Sequence, residues 1–165
     1  MANKIRNLEQ VTEIADRMKL YGKTIVTTNG SFDILHSAHV HLLQKAKKEG
    51  DTLIVLLNSD DSIRRNKGDK RPIVPQDERA KMIASLECVD YVVVFEEDNP
   101  LSYLAKIKCD IHVKGGSYMA DRMKVEKDLI ESWGGQYKTF EMEEGYSTTD
   151  LISTILERYG IKTSL

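Results

Sequence analysis

Two histidines, His36 and His39, stand three residues apart and follow a short turn that contains Gly30. The turn joins an apolar segment to an amphipathic one, so the pair falls where a helix begins after a strand. Unpaired N–H groups and the helix dipole make such a helix start a natural phosphate site, and glycine lets the backbone come close to a ligand. The pattern predicts binding of a nucleoside triphosphate, transfer of its nucleotidyl group and release of pyrophosphate.

The histidine pair has three interpretations. The two side chains could be ordinary residues at a helix start, one of them acting as a cap. They could bind a metal, but the sequence has no further His/Cys cluster to supply the other ligands that zinc usually needs. They could instead donate to phosphate oxygens and stabilise charge as it moves onto pyrophosphate. The glycine-containing turn favours this third interpretation, so we predict His36 and His39 as catalytic residues and assign no metal directly to the protein. His41 is expected to point outward and His112 to be structural.

A basic stretch at 64–71 contains Lys67, the third predicted catalytic residue. The ordinary interpretation of such a stretch is a solvated loop. That interpretation is kept for Arg64, Arg65, Lys70 and Arg71. Lys67 differs because Gly68 follows it and favours a mobile loop, and a mobile lysine can close over a triphosphate and neutralise it in the transition state.

Two further segments follow predicted strands or open predicted helices. Lys114, Gly115 and Gly116 come after a short apolar run, and adjacent glycines can expose backbone N–H groups. The Ser-Thr-Thr run at 147–149 opens the last predicted helix, where its hydroxyl groups either cap the helix or hold the nucleotide. The residues predicted to bind the nucleotide are Thr28, Asn29, Gly30, Ser31, Phe32, His39, Lys67, Gly115, Ser147, Thr148 and Thr149. The residues predicted to bind the second substrate are Asp33, Arg79, Lys114 and Gly116.

Asp33 and Arg79 also have structural interpretations. Asp33 could simply form the turn, or it could orient a histidine or hold a magnesium-coordinated water. Arg79 could pair with a neighbouring carboxylate such as Asp77 or Glu78.

Apolar runs of strand length alternate with segments of helical periodicity along the chain. The predicted strands are 24–28, 52–58, 91–95, 111–113 and 136–142. The predicted helices are 7–20, 39–48, 76–87, 100–108, 125–132 and 147–159. The segment 60–75 is interpreted as a loop with about one helical turn. This alternation predicts an α/β fold with a doubly wound, Rossmann-like, five-stranded parallel sheet and helices on both faces. Ligands of such sheets bind beyond the carboxyl ends of the strands, and segments after three strands, 29–39, 58–67 and 114–118, converge on that edge.

Length and composition predict one domain over 1–165, with an N-terminal helix at 1–20 and a catalytic core at 22–160. A net charge of −2 gives no bulk attraction to nucleic acid or to an anionic membrane. No apolar run approaches the roughly 20 residues that span a bilayer, and the polar N-terminus lacks a signal-peptide pattern. Cys88 and Cys109 lie in apolar patterns and indicate core packing. We therefore expect a cytoplasmic, reduced protein without nucleic-acid or membrane partners.

The run 32–36, Phe-Asp-Ile-Leu-His, together with His39 resembles the signature of the small nucleotidyltransferases of the cytidylyltransferase-like superfamily. Those proteins usually read His-x-Gly-His, whereas Ala38 takes the glycine position here. The resemblance implies a phosphate-binding lysine at Lys67 and an arginine at Arg79 that reaches the active site.

A wider resemblance covers residues 22 to 157 and concerns the D-glycero-β-D-manno-heptose 1-phosphate adenylyltransferases. These also occur as the C-terminal half of bifunctional ADP-heptose synthases. The segments that carry this resemblance are 50–55, 58–60, 67–73, 86–90, 113–118 and 147–149. Ser117 stands where that group usually has aspartate. Since the chain has no sugar-kinase half, we expect a stand-alone transferase.

This resemblance implies that ATP and heptose 1-phosphate react, with Mg²⁺, to give ADP-heptose and pyrophosphate for lipopolysaccharide or related glycans. It also implies a homodimer. A glycerol-3-phosphate cytidylyltransferase that uses CTP is the nearest alternative. Its relatives carry an arginine five residues before the serine of Ser-Thr-Thr, and Met142 occupies that position here. A non-catalytic nucleotide-binding paralogue is a second alternative, motivated by Ala38 and Ser117. A flavin or dinucleotide carrier is a third, and the lack of a G-x-G-x-x-G motif counts against dinucleotides. No nucleophile–base arrangement suggests a covalent intermediate, so direct in-line attack is expected.

Overall fold

The computed structural model describes residues 3–116, 120–141 and 147–161, apart from the side chains of residues 120 and 122. Strands and helices alternate along this part of the chain. The strands are β1 (Ile25–Gly30), β2 (Thr52–Asn58), β3 (Tyr91–Phe95), β4 (Ile111–Gly115) and β5 (Gln136–Phe140). The helices are α1 (Leu8–Leu20), α2 (Ser37–Lys47), α3 (Asp60–Lys67), α4 (Gln76–Ala84), α5 (Leu101–Ile107), α6 (Ala120–Glu131) and α7 (Thr148–Arg158). Each strand and helix predicted from the sequence is present.

The five strands form one parallel sheet in the order β3-β2-β1-β4-β5. Thr27 in β1 is level with Ile54 on one side and with His112 on the other. The chain builds outward from β1 to β3 and then returns to add β4 on the opposite side of β1. The strand order therefore reverses between β1 and β4, which is the position where parallel α/β sheets bind ligands. The predicted fold class is confirmed.

Apolar side chains cover both faces of the sheet. On one face Val26 and Val55 pack with Leu43 of α2 and Ile83 of α4. On the other face the core consists of buried residues from β1, β2, β3, α1, α5 and α6, including Ile25, Ile54, Val93, Val11, Leu104 and Ile130. All but the last residue of β2 are buried, as a strand covered on both faces requires. The rigid sheet fixes the carboxyl ends of the strands, where the polar residues lie.

The interpretation of 60–75 as a loop with about one helical turn is wrong for its first half, because Asp60–Lys67 is the helix α3. Its sequence lacks an apolar stripe, so hydrophobic periodicity did not reveal it. Capping and charge stabilise it instead: the Ser59 hydroxyl accepts a hydrogen bond from the N–H of Ser62, acidic residues occupy the first turn and basic residues the last. Gly68 ends the helix with a φ of +87°. Lys67 is consequently anchored on a helix rather than carried by a loop.

Several boundaries differ from the predicted ones by a few residues. β1 continues to Gly30, and α2 begins at Ser37 rather than at residue 39, because extended His36 forms its N-cap. β4 continues to Gly115, which pairs with Phe140 of β5. In the described ranges, none of the helices is both long enough and apolar enough to cross a membrane.

Candidate active site

Two pockets open beyond the carboxyl ends of β1 and β4, one beside α2 and the other beside α3, α5 and α6. They share Asn29, Gly30, Ser31 and Lys67, which form a common wall. The histidine pocket, of about 430 Å³, is lined in addition by Phe32, His36, His39, Leu42, Arg71, Gly115, Ser147, Thr148 and Thr149. The asparagine pocket, of about 370 Å³, is lined in addition by Asn58, Ile63, Asn66, Asp98, Asn99, Pro100, Leu101, Lys114, Asp121, Met123, Val125 and Glu126.

The turn between β1 and α2 is shaped by Phe32, whose φ of +43° is unusual for a residue with a side chain. This conformation places its buried ring against Gly30, where an added Cβ would come within 3.0 Å of the ring. The same ring meets His39 edge-on, with the ring centroids 5.1 Å apart. A larger residue at position 30 would therefore crowd the Phe32 ring, and Phe32 in turn packs against one of the two histidines.

The rings of His36 and His39 stack with centroids 3.7 Å apart and planes 22° from parallel. Burial, followed by the nearby His36 and Lys67, lowers the pKa of His39 to about 4. Burial also lowers the pKa of His36. Both rings are therefore neutral near pH 7 in this structure. Each Nδ1 is buried without a hydrogen-bond partner in the described part of the chain, so each ring retains hydrogen-bonding capacity for an approaching anion.

Lys67 lies in the last turn of α3 and reaches across to the β1–α2 turn. Its ammonium group donates a 2.9 Å hydrogen bond to the Ser31 hydroxyl. Burial, and after it the charge of Arg71, lowers the pKa of Lys67, while the Asp33 carboxylate acts in the opposite direction. The cations of the histidine pocket therefore lie close enough together to disfavour one another's charge.

Asp33 is buried and directs its carboxylate at the loop that follows α3. One oxygen accepts hydrogen bonds from the backbone N–H groups of Ile73 and Val74, at 2.8 and 2.9 Å. The other accepts from Nε of Arg71 at 2.5 Å. Asp33 lies outside both pocket linings, so these contacts give it a positioning role. Its contact with substrate stays a prediction.

Arg79 of α4 has a guanidinium group with no exposed surface. It donates to the carbonyl oxygens of Ser31 at 2.6 Å, Asn58 at 2.8 Å and Val74 at 2.8 Å. It also donates to Oδ1 of Asp60 at 2.7 Å. The side chain therefore connects the segment after β1, the segment after β2 and the loop after α3, from behind the pockets. The structural interpretation of Arg79 accounts for these contacts, and a direct contact with substrate stays a prediction.

Lys114 lies in the asparagine pocket, where its ammonium group donates to Oδ1 of Asn29 at 2.7 Å and to Oε1 of Glu126 at 2.8 Å. Gly116 has a φ of +86° and donates its N–H to the Phe140 carbonyl, outside both linings. Thr28 is fully buried and also lies outside both linings.

The remaining residues predicted to bind the nucleotide come together in the histidine pocket. Ser147 caps α7, with its hydroxyl accepting from the N–H of Asp150 at 3.1 Å. Ala38 is buried and lies outside both linings, so its methyl group packs inside the protein. Ser117 and Met142, on which the departures from family patterns rest, lie outside the described residues.

Sequence reasoning missed Arg71 and Glu126. Arg71 was assigned to a solvated loop, but it lines the histidine pocket and pairs with Asp33. The contact with Asp33 would have indicated a role for Arg71, but only the folded chain brings these two residues together. In the sequence Glu126 is one of several acidic residues in a predicted helix. In the structure it is buried beside Lys114. Within the described ranges, no group of three or more His, Cys, Asp or Glu side chains could hold a metal ion.

The cytidylyltransferase-like family model matches residues 27–154, which include both histidines, Lys67 and the start of α7. The chain belongs to the cytidylyltransferase-like family. The family indicated by the segment at 32–39 is thereby confirmed. The crystal structure of the lipopolysaccharide core biosynthesis protein from Thermoplasma volcanium is 31% identical to this cytidylyltransferase-like chain, with a TM-score of 0.62 over 76% of this chain and 100% of that one.

Longer proteins contain a similar segment. The bifunctional protein HldE of Syntrophotalea carbinolica is 48% identical over 95% of this chain and 32% of its own length. HldE of Helicobacter pylori is 50% identical over 92% of this chain and 31% of its own length. The chain thus spans about a third of the length of the curated relatives that it matches. A pantoate-β-alanine ligase from Francisella tularensis, at 17% identity and a TM-score of 0.59, shares the fold alone.

Replacing Arg79 with methionine should lower the free energy of unfolding by about 3 kcal/mol. The substitution leaves the Asp60 carboxylate and three carbonyl oxygens without the hydrogen-bond donor that the guanidinium provides. Urea unfolding followed by the fluorescence of Trp133 measures the change. Arg64→Met is the matched control, since Arg64 makes an exposed pair with Asp61 on α3, and it should change stability little. Equal effects of the two substitutions would contradict the anchoring role of Arg79.

Lowering the pH from 7 to 5 should destabilise the ligand-free protein partly through His39. An unfolded histidine takes up a proton near pH 6.5, whereas folded His39 does so only near pH 4, so the unfolded state binds more protons in this window. His39→Gln should therefore reduce the pH dependence of unfolding between pH 7 and pH 5. Parallel pH profiles for the wild type and His39→Gln would refute the pKa assignment.

Proposed function

We propose that this protein is an adenylyltransferase that transfers AMP from ATP to a sugar 1-phosphate, namely heptose 1-phosphate, and releases pyrophosphate. The observation that carries the proposal is the joining of two pockets at one wall. The histidine pocket gathers His36, His39, Lys67 and Arg71 beside the N-terminus of α7, which suits a triphosphate. The asparagine pocket meets it at Lys67, which suits a second anionic substrate.

The acceptor phosphate is already anionic near neutral pH, so the reaction needs no strong general base. One of its oxygens attacks the α-phosphorus of ATP and forms a new P–O bond. The bond between the α-phosphorus and the bridging oxygen breaks, and its electron pair leaves with pyrophosphate. The task of the protein is to align the reactants and to stabilise the developing charge.

His39 and His36 donate to phosphate oxygens in this proposal, and Lys67 binds the leaving pyrophosphate. To do so Lys67 exchanges its hydrogen bond with the Ser31 hydroxyl for a phosphate oxygen. The backbone N–H groups at the start of α7 and the hydroxyl groups of Thr148 and Thr149 hold the nucleotide from the opposite side.

Mg²⁺ is the expected cofactor of the reaction and, when bound, reduces the negative charge of the triphosphate. The donors that line the histidine pocket are mainly cations, imidazoles and hydroxyl groups. Such groups match phosphate oxygens better than a magnesium ion, which prefers carboxylates and water. We therefore assign no protein ligands to Mg²⁺ and expect it to enter with the nucleotide.

Heptose 1-phosphate as the acceptor is supported by the similarity to HldE over most of this chain and by the resemblance of the segments at 67–73 and 113–118. The similarity to a lipopolysaccharide core biosynthesis protein points in the same direction. With that acceptor the product is ADP-heptose for a surface glycan. A cytoplasmic location and assembly as a homodimer are part of the proposal and rest on the family resemblance.

Pyrophosphate release should require ATP and heptose 1-phosphate together, with Mg²⁺ present. The assay compares ATP with CTP, and heptose 1-phosphate with glycerol 3-phosphate, in all four combinations. Release with CTP and glycerol 3-phosphate would replace the proposed substrates by those of a glycerol-3-phosphate cytidylyltransferase. Nucleotide binding without release in any combination would identify a non-catalytic paralogue.

His39→Ala should lower kcat by at least about a hundredfold, which is the scale for the loss of one donor to a developing negative charge. His41→Ala is the control on the same helix and should retain the wild-type rate. Steady-state pyrophosphate release at saturating ATP measures both variants. A wild-type rate for His39→Ala would remove this histidine from the chemistry.

A further inference from the structure

A series of polar contacts connects residues that line the asparagine pocket. Lys67 contacts the Ser31 hydroxyl at 2.9 Å, and Ser31 is joined through Gly30 to Asn29. The carboxamide oxygen of Asn29 accepts from Lys114 at 2.7 Å, and Lys114 contacts Glu126 at 2.8 Å. These contacts connect Lys67, at the wall shared with the histidine pocket, to Glu126 on α6.

The Lys114–Glu126 pair is buried, with side-chain exposures of 6% and 7%. A buried ion pair is weak evidence for stability, because removing two charges from water offsets much of their attraction. Here both partners also line a pocket. Glu126 accepts from Lys114 through one oxygen and from the Tyr137 hydroxyl, at 3.2 Å, through the other. A carboxylate has about four acceptor sites, so this one retains capacity for hydroxyl groups of a ligand.

The sides of the pocket are partly apolar. Ile63 of α3, Leu101 of α5 and Val125 of α6 contribute to the lining. A sugar ring has apolar C–H faces and hydroxyl groups around its edge. A pocket lined by both apolar and polar side chains matches these two parts. The charged residues of the lining are the lysines Lys67 and Lys114 and the carboxylates Asp98, Asp121 and Glu126.

We propose that Glu126 recognises the hydroxyl groups of a polyhydroxylated acceptor in the asparagine pocket, where Lys114 and Tyr137 hold its carboxylate in place. Glu126 is then the residue that makes the protein prefer a sugar phosphate to a small phosphate such as glycerol 3-phosphate. This inference rests on the proposed transferase function and adds to it where the acceptor lies and what recognises it.

Glu126→Gln tests the carboxylate, and Glu131→Gln, in the exposed pair with Lys127 on the same helix, is its matched control. We expect Glu126→Gln to raise the KM for heptose 1-phosphate about tenfold while the KM for ATP stays within twofold. The ratio of kcat/KM for heptose 1-phosphate to that for glycerol 3-phosphate should fall by a similar factor. Glu131→Gln should match the wild type in all three quantities.

Val125→Phe provides a second test that does not disturb the ion pair. Val125 is 53% exposed, so a larger side chain there is compatible with folding while it narrows the pocket. This variant should weaken calorimetric binding of heptose 1-phosphate at least tenfold in the presence of α,β-methylene-ATP, a nucleotide that cannot transfer AMP. Its binding of the nucleotide alone should equal that of the wild type.

The results separate the two proposals. If the wild type releases pyrophosphate with ATP and heptose 1-phosphate but both variants keep the wild-type KM and affinity for the acceptor, the pocket assignment is wrong and the transferase function stands. If the wild type binds the sugar phosphate without turnover, and both variants bind it more weakly, the transferase function falls and the pocket assignment stands. A wild type that neither binds nor uses the sugar phosphate overturns both.

Discussion

The Arg79 guanidinium joins three segments of the site: the turn after β1, the junction of β2 with α3, and the loop after α3. Its planar fork of donors fixes the directions in which these segments approach it. Asp33 adds a second connection, from the β1–α2 turn to the loop after α3. Together they tie the β1–α2 turn, which precedes the histidines, to the segments on either side of α3, which carries Lys67.

This framework holds several basic groups in a partly buried space. The protein accommodates them by keeping His36 and His39 neutral and by lowering the pKa of Lys67. The local environment disfavours additional positive charge until an anion arrives. A triphosphate would relieve that condition, so part of its affinity would come from the preorganised charges rather than from new contacts.

The alternation of apolar runs was sufficient to predict the sheet, because buried parallel strands leave a strong pattern in the sequence. It was also sufficient to place the histidines, Lys67 and Lys114 at one edge. It missed α3, whose stability comes from caps and charges rather than from an apolar stripe. It also missed the position of Arg79 behind the pockets, and the roles of Arg71 and Glu126, because these depend on partners distant in sequence that only the folded chain brings near.

The wall shared by the two pockets has a kinetic consequence. Asn29, Gly30 and Ser31 line both pockets. Lys114, which contacts Asn29, lines the asparagine pocket and not the histidine pocket. The proposed direct transfer stores no group on an enzyme nucleophile, so both reactants must occupy their spaces at the same moment. Reaction through a ternary complex follows from this architecture, and the initial-rate lines for such a mechanism intersect rather than run parallel.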